Sequence, residues 1–276
     1  MIFVYKKWDA FCKALEQTGI RSIPAREVNE ALTGYLVLKH DVETDVSRAL
    51  AMARIEHKYG HRGSYYVQEY LMDDEKNVKM LQEMQKMGHE ISYHYDVMDS
   101  CRGDIEKAIA EFDVNKGKFV KNGFELKTLC QHGNPVVERV GYTSNRDFFR
   151  NERVQSLYPE LSDIMVDFKI KHKTEYLYFS DAGRHFKMIF DPINNDRVNS
   201  DDKNVPYSDL DALLSVISPE QGIIISTHPH RWTSSALVYS VKALAFKVIK
   251  AVAKLLIKIP FMKKFMSKYY YLAKKI

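Results

Sequence analysis

The feature that most constrains this chain is an alternation of short apolar runs with stretches of helical periodicity. Tyr35-Leu36-Val37-Leu38 reads as a buried strand and leads through Lys39-His40-Asp41-Val42-Glu43 into a periodic helix over 45–59. Ser64 to Val67 is a second strand, and 74–87 a second helix that ends before Gly88. His89 to Asp96 reads as a third strand, 103–121 as a third helix and Leu126 to Cys130 as a fourth strand. Strand, helix, strand, helix is the pattern of βαβ units around a parallel sheet, so an α/β fold is expected. A helix over 8–20 precedes this series. Tyr176 to Phe179 and Gly222 to Thr227 add strands, and 208–217 adds a short helix capped by Ser208. Residues 140–200 are polar and less regular, and 194–206 reads as a surface loop.

The strands end alike. They run into His40-Asp41, His94-Tyr95-Asp96, His132-Gly133, Asp181 and His228-Pro229-His230. In parallel sheets the carboxyl ends of the strands carry loops free of packing duties, and ligands bind there. Asp41 and Glu43 are two residues apart, so an extended backbone points both to one side. Two carboxylates in one mouth repel unless a cation or a proton lies between them. Thr44 and Asp45 read as helix-capping residues, whereas His40, Asp41 and Glu43 precede the cap. A single strand-end histidine has an ordinary structural explanation. Five coinciding strand ends point instead to a mixed Asp/Glu/His set suited to Zn²⁺ or a similar divalent ion.

Charge divides the chain in two. The net charge of the 276 residues is +5, yet residues 242–276 hold ten lysines and no acid, which leaves residues 1–241 at −5. That balance argues against a nucleic-acid footprint on the main body. We expect a domain over 1–241 and a basic amphipathic helical extension over 242–276. Residues 236–248 fit a last domain helix with a solvated lysine face. Residues 249–276, with lysines as the polar face and clustered tyrosines, fit an interfacial helix on anionic lipid. Three cysteines far apart argue against a disulfide framework and fit a reducing compartment. The first apolar run is too short for a signal peptide, and no segment has the length and apolarity of a spanning helix. A cytoplasmic location, with contact at the inner face of the membrane, is the expectation.

These segments resemble a known family. Lys39 to Glu43, with the helix ending Ile55-Glu56-His57-Lys58-Tyr59-Gly60 and the strand Ser64 to Val67, looks like the first motif of the NodB-type polysaccharide deacetylases. Gly88 to His94 is similar to their second motif. Gln131 to Pro135, Phe179 to Arg184 and Ile225 to Trp232 resemble segments of a deacetylase-like branch associated with O-antigen or capsule biosynthesis. The resemblance covers roughly 30–240, with the motifs in the family's order. It implies a distorted (β/α) barrel of about seven parallel strands. It also implies metal-dependent hydrolysis of an N- or O-acetyl group on a sugar, and a glycan substrate that could be lipid-linked. Residue by residue, Asp41 matches the general base, Glu43 a metal-binding carboxylate, His94 the first metal histidine and His228 the acid that protonates the leaving group.

The chain departs from that pattern at two metal positions. Met98 stands where the second metal histidine is usual, and Glu43 replaces a shorter Asp. A third ligand then falls to His132 or Asp96, with His132 preferred because it ends an adjacent strand. The arginine that usually holds the base is missing, and Arg184 is the residue placed to serve. Asp96, Asp181, His230, Arg231 and Trp232 are expected to contact substrate. Two other functions stand beside the acetyl hydrolase: a non-catalytic carbohydrate-binding or scaffold protein of the same pathway, and a related amidohydrolase acting on a different acyl group such as formyl.

Overall fold

The computed structural model describes residues 3–134, 137–182, 185–194, 204–241 and 244–245. Its strands are β1 (Tyr35–Val42), β2 (Ser64–Val67), β3 (Glu90–Tyr95), β4 (Thr128–Gln131), β5 (Ser162–Asp163), β6 (Leu177–Ser180), β7 (Phe186–Ile189), β8 (Val205–Tyr207) and β9 (Gly222–Thr227). They form one sheet in the order β5-β4-β3-β2-β1-β9-β6-β7-β8. The seven from β5 to β6 run parallel, and β7 and β8 continue the sheet antiparallel. That antiparallel pair was not anticipated. Val205-Pro206-Tyr207 lies at the end of the expected 194–206 loop, and three residues are too few for a periodicity to show.

Helices α1 (Tyr5–Gln17), α2 (Val46–Lys58), α3 (Glu75–Lys86), α4 (Val97–Ser100) and α5 (Ile105–Lys121) precede β4. Asp45 caps α2 by accepting from the Ser47 amide at 3.0 Å, as Asp74 and Asp104 cap α3 and α5. Gly60 and Gly88 follow α2 and α3 with φ of +74° and +90°, values that suit glycine. The 140–171 region holds three short helices, Asp147–Arg150, Glu152–Leu157 and Phe168–Lys171. The late helix is Leu210–Leu214, capped by Asp209 rather than Ser208.

Strand β1 is buried on both faces, and its two faces meet different surroundings. Leu36 and Leu38 pack outward on Trp8, Phe11 and Leu15 of α1 and on Ile223 and Ile225 of β9. Val37 points inward, into a cluster with Tyr66 of β2, Cys130 of β4, Tyr178 of β6 and Ile224 of β9. Side chains from five strands thus share one cluster on the inner face of the sheet. The Tyr176 hydroxyl donates to the Ile164 carbonyl at 2.9 Å, linking the chain before β6 to the chain after β5. Among the described residues no backbone ladder joins β5 to β6. The third cluster gathers β3, α3, α5 and the aromatic rings of Tyr93, Tyr95, Phe112, Phe148 and Phe149.

The three cysteines are free. No helix among the described residues is long and apolar enough to cross a membrane. The expected extension over 242–276 lies outside the described residues apart from 244–245.

Candidate active site

The parity of β1 decides what its end presents. Odd positions turn inward, so Lys39, Asp41 and Glu43 follow Val37 toward the concave side, all three buried. His40 turns the other way, which corrects its grouping with the two carboxylates. Its Nδ1 is 2.8 Å from the Thr227 hydroxyl, its Nε2 is 3.0 Å from Glu56 Oε1, and its ring stacks on Tyr65. Glu56, on α2, also accepts from Trp8 Nε1 at 3.0 Å and from the Tyr65 hydroxyl at 2.8 Å. Burial would raise the Glu56 carboxyl, but His40, His89 and Tyr65 outweigh it and hold the pKa below the usual value. This buried cluster is architectural.

On the inner face, Lys39 Nζ lies 2.5 Å from Asp41 Oδ1 and 3.3 Å from Ser226 Oγ. Burial raises the Asp41 carboxyl, but Lys39, with His94 and His228, more than reverses this and brings it to about 2. Asp41 is therefore a carboxylate at neutral pH. The opposite balance raises Lys39: its burial is outweighed by Asp41, and it stays charged. The other carboxylate oxygen, Asp41 Oδ2, is 3.8 Å from His228 Nε2.

His228 follows β9 and is held from behind. Asp181, after β6, accepts from the His228 backbone amide at 3.0 Å, and its Oδ1 lies 2.6 Å from His228 Nδ1. Arg231 donates to the same carboxylate at 2.6 Å. Burial alone would raise Asp181, yet Arg231 and His228 keep it below its usual value. A carboxylate on Nδ1 leaves the proton there and turns Nε2 toward the pocket.

Glu43 completes the centre. Its Oε1 lies 3.4 Å from His132 Nε2 and 4.0 Å from His228 Nε2, and its Oε2 lies 4.0 Å from His230 Nδ1. His94 Nδ1 is 3.0 Å from the Cys130 carbonyl; donating there leaves the Nε2 lone pair for another partner. Burial lowers His94 to about 4, so its ring is neutral at pH 7. Asp96 Oδ2 is 3.6 Å from His132 Nδ1, and Asn145 donates to the His132 carbonyl at 2.8 Å. Glu43, His94 and His132 bring one donor atom each within 4.8 Å of one another. One carboxylate and two imidazoles fit a Zn²⁺-type ion with a position left open.

The structure thus brings Asp41, Glu43, His94, His132, His228 and His230 together. Two other expectations need correction. The Trp232 ring is fully buried against Phe3 and Trp8, and a ring with no exposed surface cannot touch a substrate. Asp181 is fully buried and committed to His228 and Arg231, so it positions rather than binds. Arg231 holds Asp181 and Asp96 contacts His132, yet their side chains stay 16% and 31% exposed, so neither contact bars a substrate. Met98 packs in the core beside Val97 and Phe112. Arg184 lies outside the described residues. The cation beside Asp41 is Lys39, which sequence reasoning missed, although a lysine two residues before Asp41 on an extended run shares its face.

No family model matches the chain, and no curated protein does. Among the solved structures similar to it is a family 4 carbohydrate esterase from Streptomyces lividans in complex with acetate, 15% identical, with a TM-score of 0.42, covering 75% of this chain and 83% of that one. A likeness at this level assigns no residue its role.

Proposed function

We propose that the protein is a metal-dependent hydrolase that removes an acetyl group, N- or O-linked, from a sugar used in bacterial surface-polysaccharide assembly. One observation carries the reading: the Asp41 carboxylate and an imidazole backed by Asp181 face each other beside a metal-capable donor set. Asp41, held ionised by Lys39, accepts a proton at Oδ2; His228, backed by Asp181, donates one from Nε2. An amide or alkoxide leaving group departs poorly unless protonated, which calls for an acid opposite the base. A divalent ion on Glu43, His94 and His132 would supply a Lewis acid for the acyl carbonyl. The acetyl and sugar specificity come from the motif resemblance. Zn²⁺ is the metal we favour, from the imidazole and carboxylate donors.

We further propose that residues 249–276 rest on the anionic inner leaflet, which suits a lipid-linked sugar. The experiment is acetate release from a panel of lipid-linked and nucleotide-linked acetamido and O-acetyl sugars, using metal-stripped and Zn²⁺-reloaded protein. Release that needs metal and disappears in Asp41→Asn supports the reading. Sugar binding without release by metal-loaded protein refutes it in favour of a non-catalytic glycan-binding protein. That second reading is favoured by Met98, a thioether standing where the resembled family has a metal-binding histidine. Release of formate alone would assign a different acyl group.

A further inference from the structure

Two donor sets overlap at His94. One is Glu43, His94 and His132; the other is Asp41, His94 and Cys130, also buried and also within 4.8 Å of one another. Because they share His94, one ion occupies one set or the other. The donor types alone do not choose: the second set offers a thiol, the softer donor, and zinc takes thiolates readily.

The neighbour that distinguishes them is Lys39. Its ammonium touches Asp41 Oδ1, approaches Ser226 Oγ and lies 5.5 Å from the centroid of the Tyr66 ring. Its side chain is 1% exposed. We propose that Lys39 is a built-in cation that keeps Asp41 and Cys130 from a divalent ion and so directs that ion to Glu43, His94 and His132. The assignment rests on the metal-dependent reading above and deepens it, because it gives Asp41 its distinct role. An ammonium and a divalent ion on the same carboxylate repel, and a buried pair is little screened by salt. A thiol binds a divalent ion as the thiolate, so Cys130 would be a ligand only to a metal held against it. With Oδ1 held by Lys39, Asp41 presents Oδ2 to the pocket, on the side of His228.

The test is cobalt substitution in the full-length protein, stripped of metal, titrated with Co²⁺ under anaerobic conditions and followed by absorption. A thiolate ligand gives an intense sulfur-to-cobalt charge-transfer band in the near ultraviolet; imidazole and carboxylate ligands do not. Wild type is expected to take one Co²⁺ without the band. Lys39→Met should gain it, and Lys39→Met combined with Cys130→Ser should lose it again. Should Lys39→Met fail to fold, Cys130→Ser alone decides: an unchanged cobalt stoichiometry and spectrum supports the assignment, and loss of cobalt overturns it. A sulfur band in wild type, or a folded Lys39→Met that binds cobalt without one, also overturns it. Cobalt bound as expected with no acetate released from any sugar refutes the hydrolase reading and leaves the Lys39 assignment standing. A sulfur band in a protein that releases acetate does the reverse, and a wild type that takes no cobalt overturns both.

Discussion

Replacing Asp181 with Asn alters the molecule by one atom and reaches both its stability and its chemistry. The carboxylate is fully buried and receives the His228 amide, the His228 ring and the Arg231 guanidinium at 2.6 to 3.0 Å. An amide keeps one acceptor oxygen and turns an NH₂ toward groups that are themselves donors. Arg231 would then be left with a weakened counter-charge. Breaking a buried ion pair by removing one partner costs about 3–5 kcal/mol. For a chain of this size that lowers the melting temperature by on the order of 10 °C. The chemical loss is separate. His228 would lose the group that fixes its ring orientation and its Nδ1 hydrogen bond, and general acid–base catalysis contributes roughly 10²–10⁴-fold. Thermal melts by circular dichroism and acetate release measured on the same preparations read both effects. We expect kcat to fall within that range while KM changes little, since Asp181 is shielded from substrate. Arg231→Gln should lower the melting temperature too, with a smaller effect on kcat. An Asp181→Asn protein that melts with wild type and keeps its kcat would refute the reasoning.

Other expectations follow from the same geometry. His94→Ala and His132→Ala should each lose stoichiometric zinc on dialysis, and Asp96→Asn should weaken zinc binding by about 10–100-fold; metal analysis showing full occupancy in both alanine variants would exclude this donor set. His89 accepts from the Gly63 amide at Nδ1, and its burial lowers the pKa to about 4. A depressed histidine gives its full stability above its ordinary pKa of about 6.5 and loses it as pH falls toward 4, here roughly 3 kcal/mol. Urea unfolding at pH 7 and pH 4.5 should therefore differ in midpoint, and a smaller difference is expected in His89→Gln. Deleting residues 249–276 should abolish pelleting with anionic liposomes; unchanged pelleting would remove the membrane from the account.

Much of the architecture was readable because it follows from period and punctuation. The helix expected over 45–59 is Val46–Lys58, the strand at 64–67 is Ser64–Val67, and the strand expected at 222–227 is Gly222–Thr227. Each has an apolar period matching its element and a capping residue or glycine at its boundary. What escaped has physical reasons. β7 and β8 are half-exposed strands of four and three residues, too short for alternation to stand out. Trp232 follows a run of polar site residues, and nothing local shows that its ring turns back onto Phe3 and Trp8. Lys39 was legible from its parity with Asp41, but a lysine is ordinarily read as a solvated side chain, and here it is interior.

The alternation along β1 limits how this protein can change. Every second side chain of one short ribbon belongs to the reactive pocket, and the residue between them, His40, is clasped by Glu56 and Thr227 behind it. Inserting or deleting a single residue there would carry the carboxylates into the helical layer and the imidazole into the pocket, exchanging their environments at once. New chemistry at this position must therefore arise by replacing side chains one at a time, never by shifting the frame that holds them.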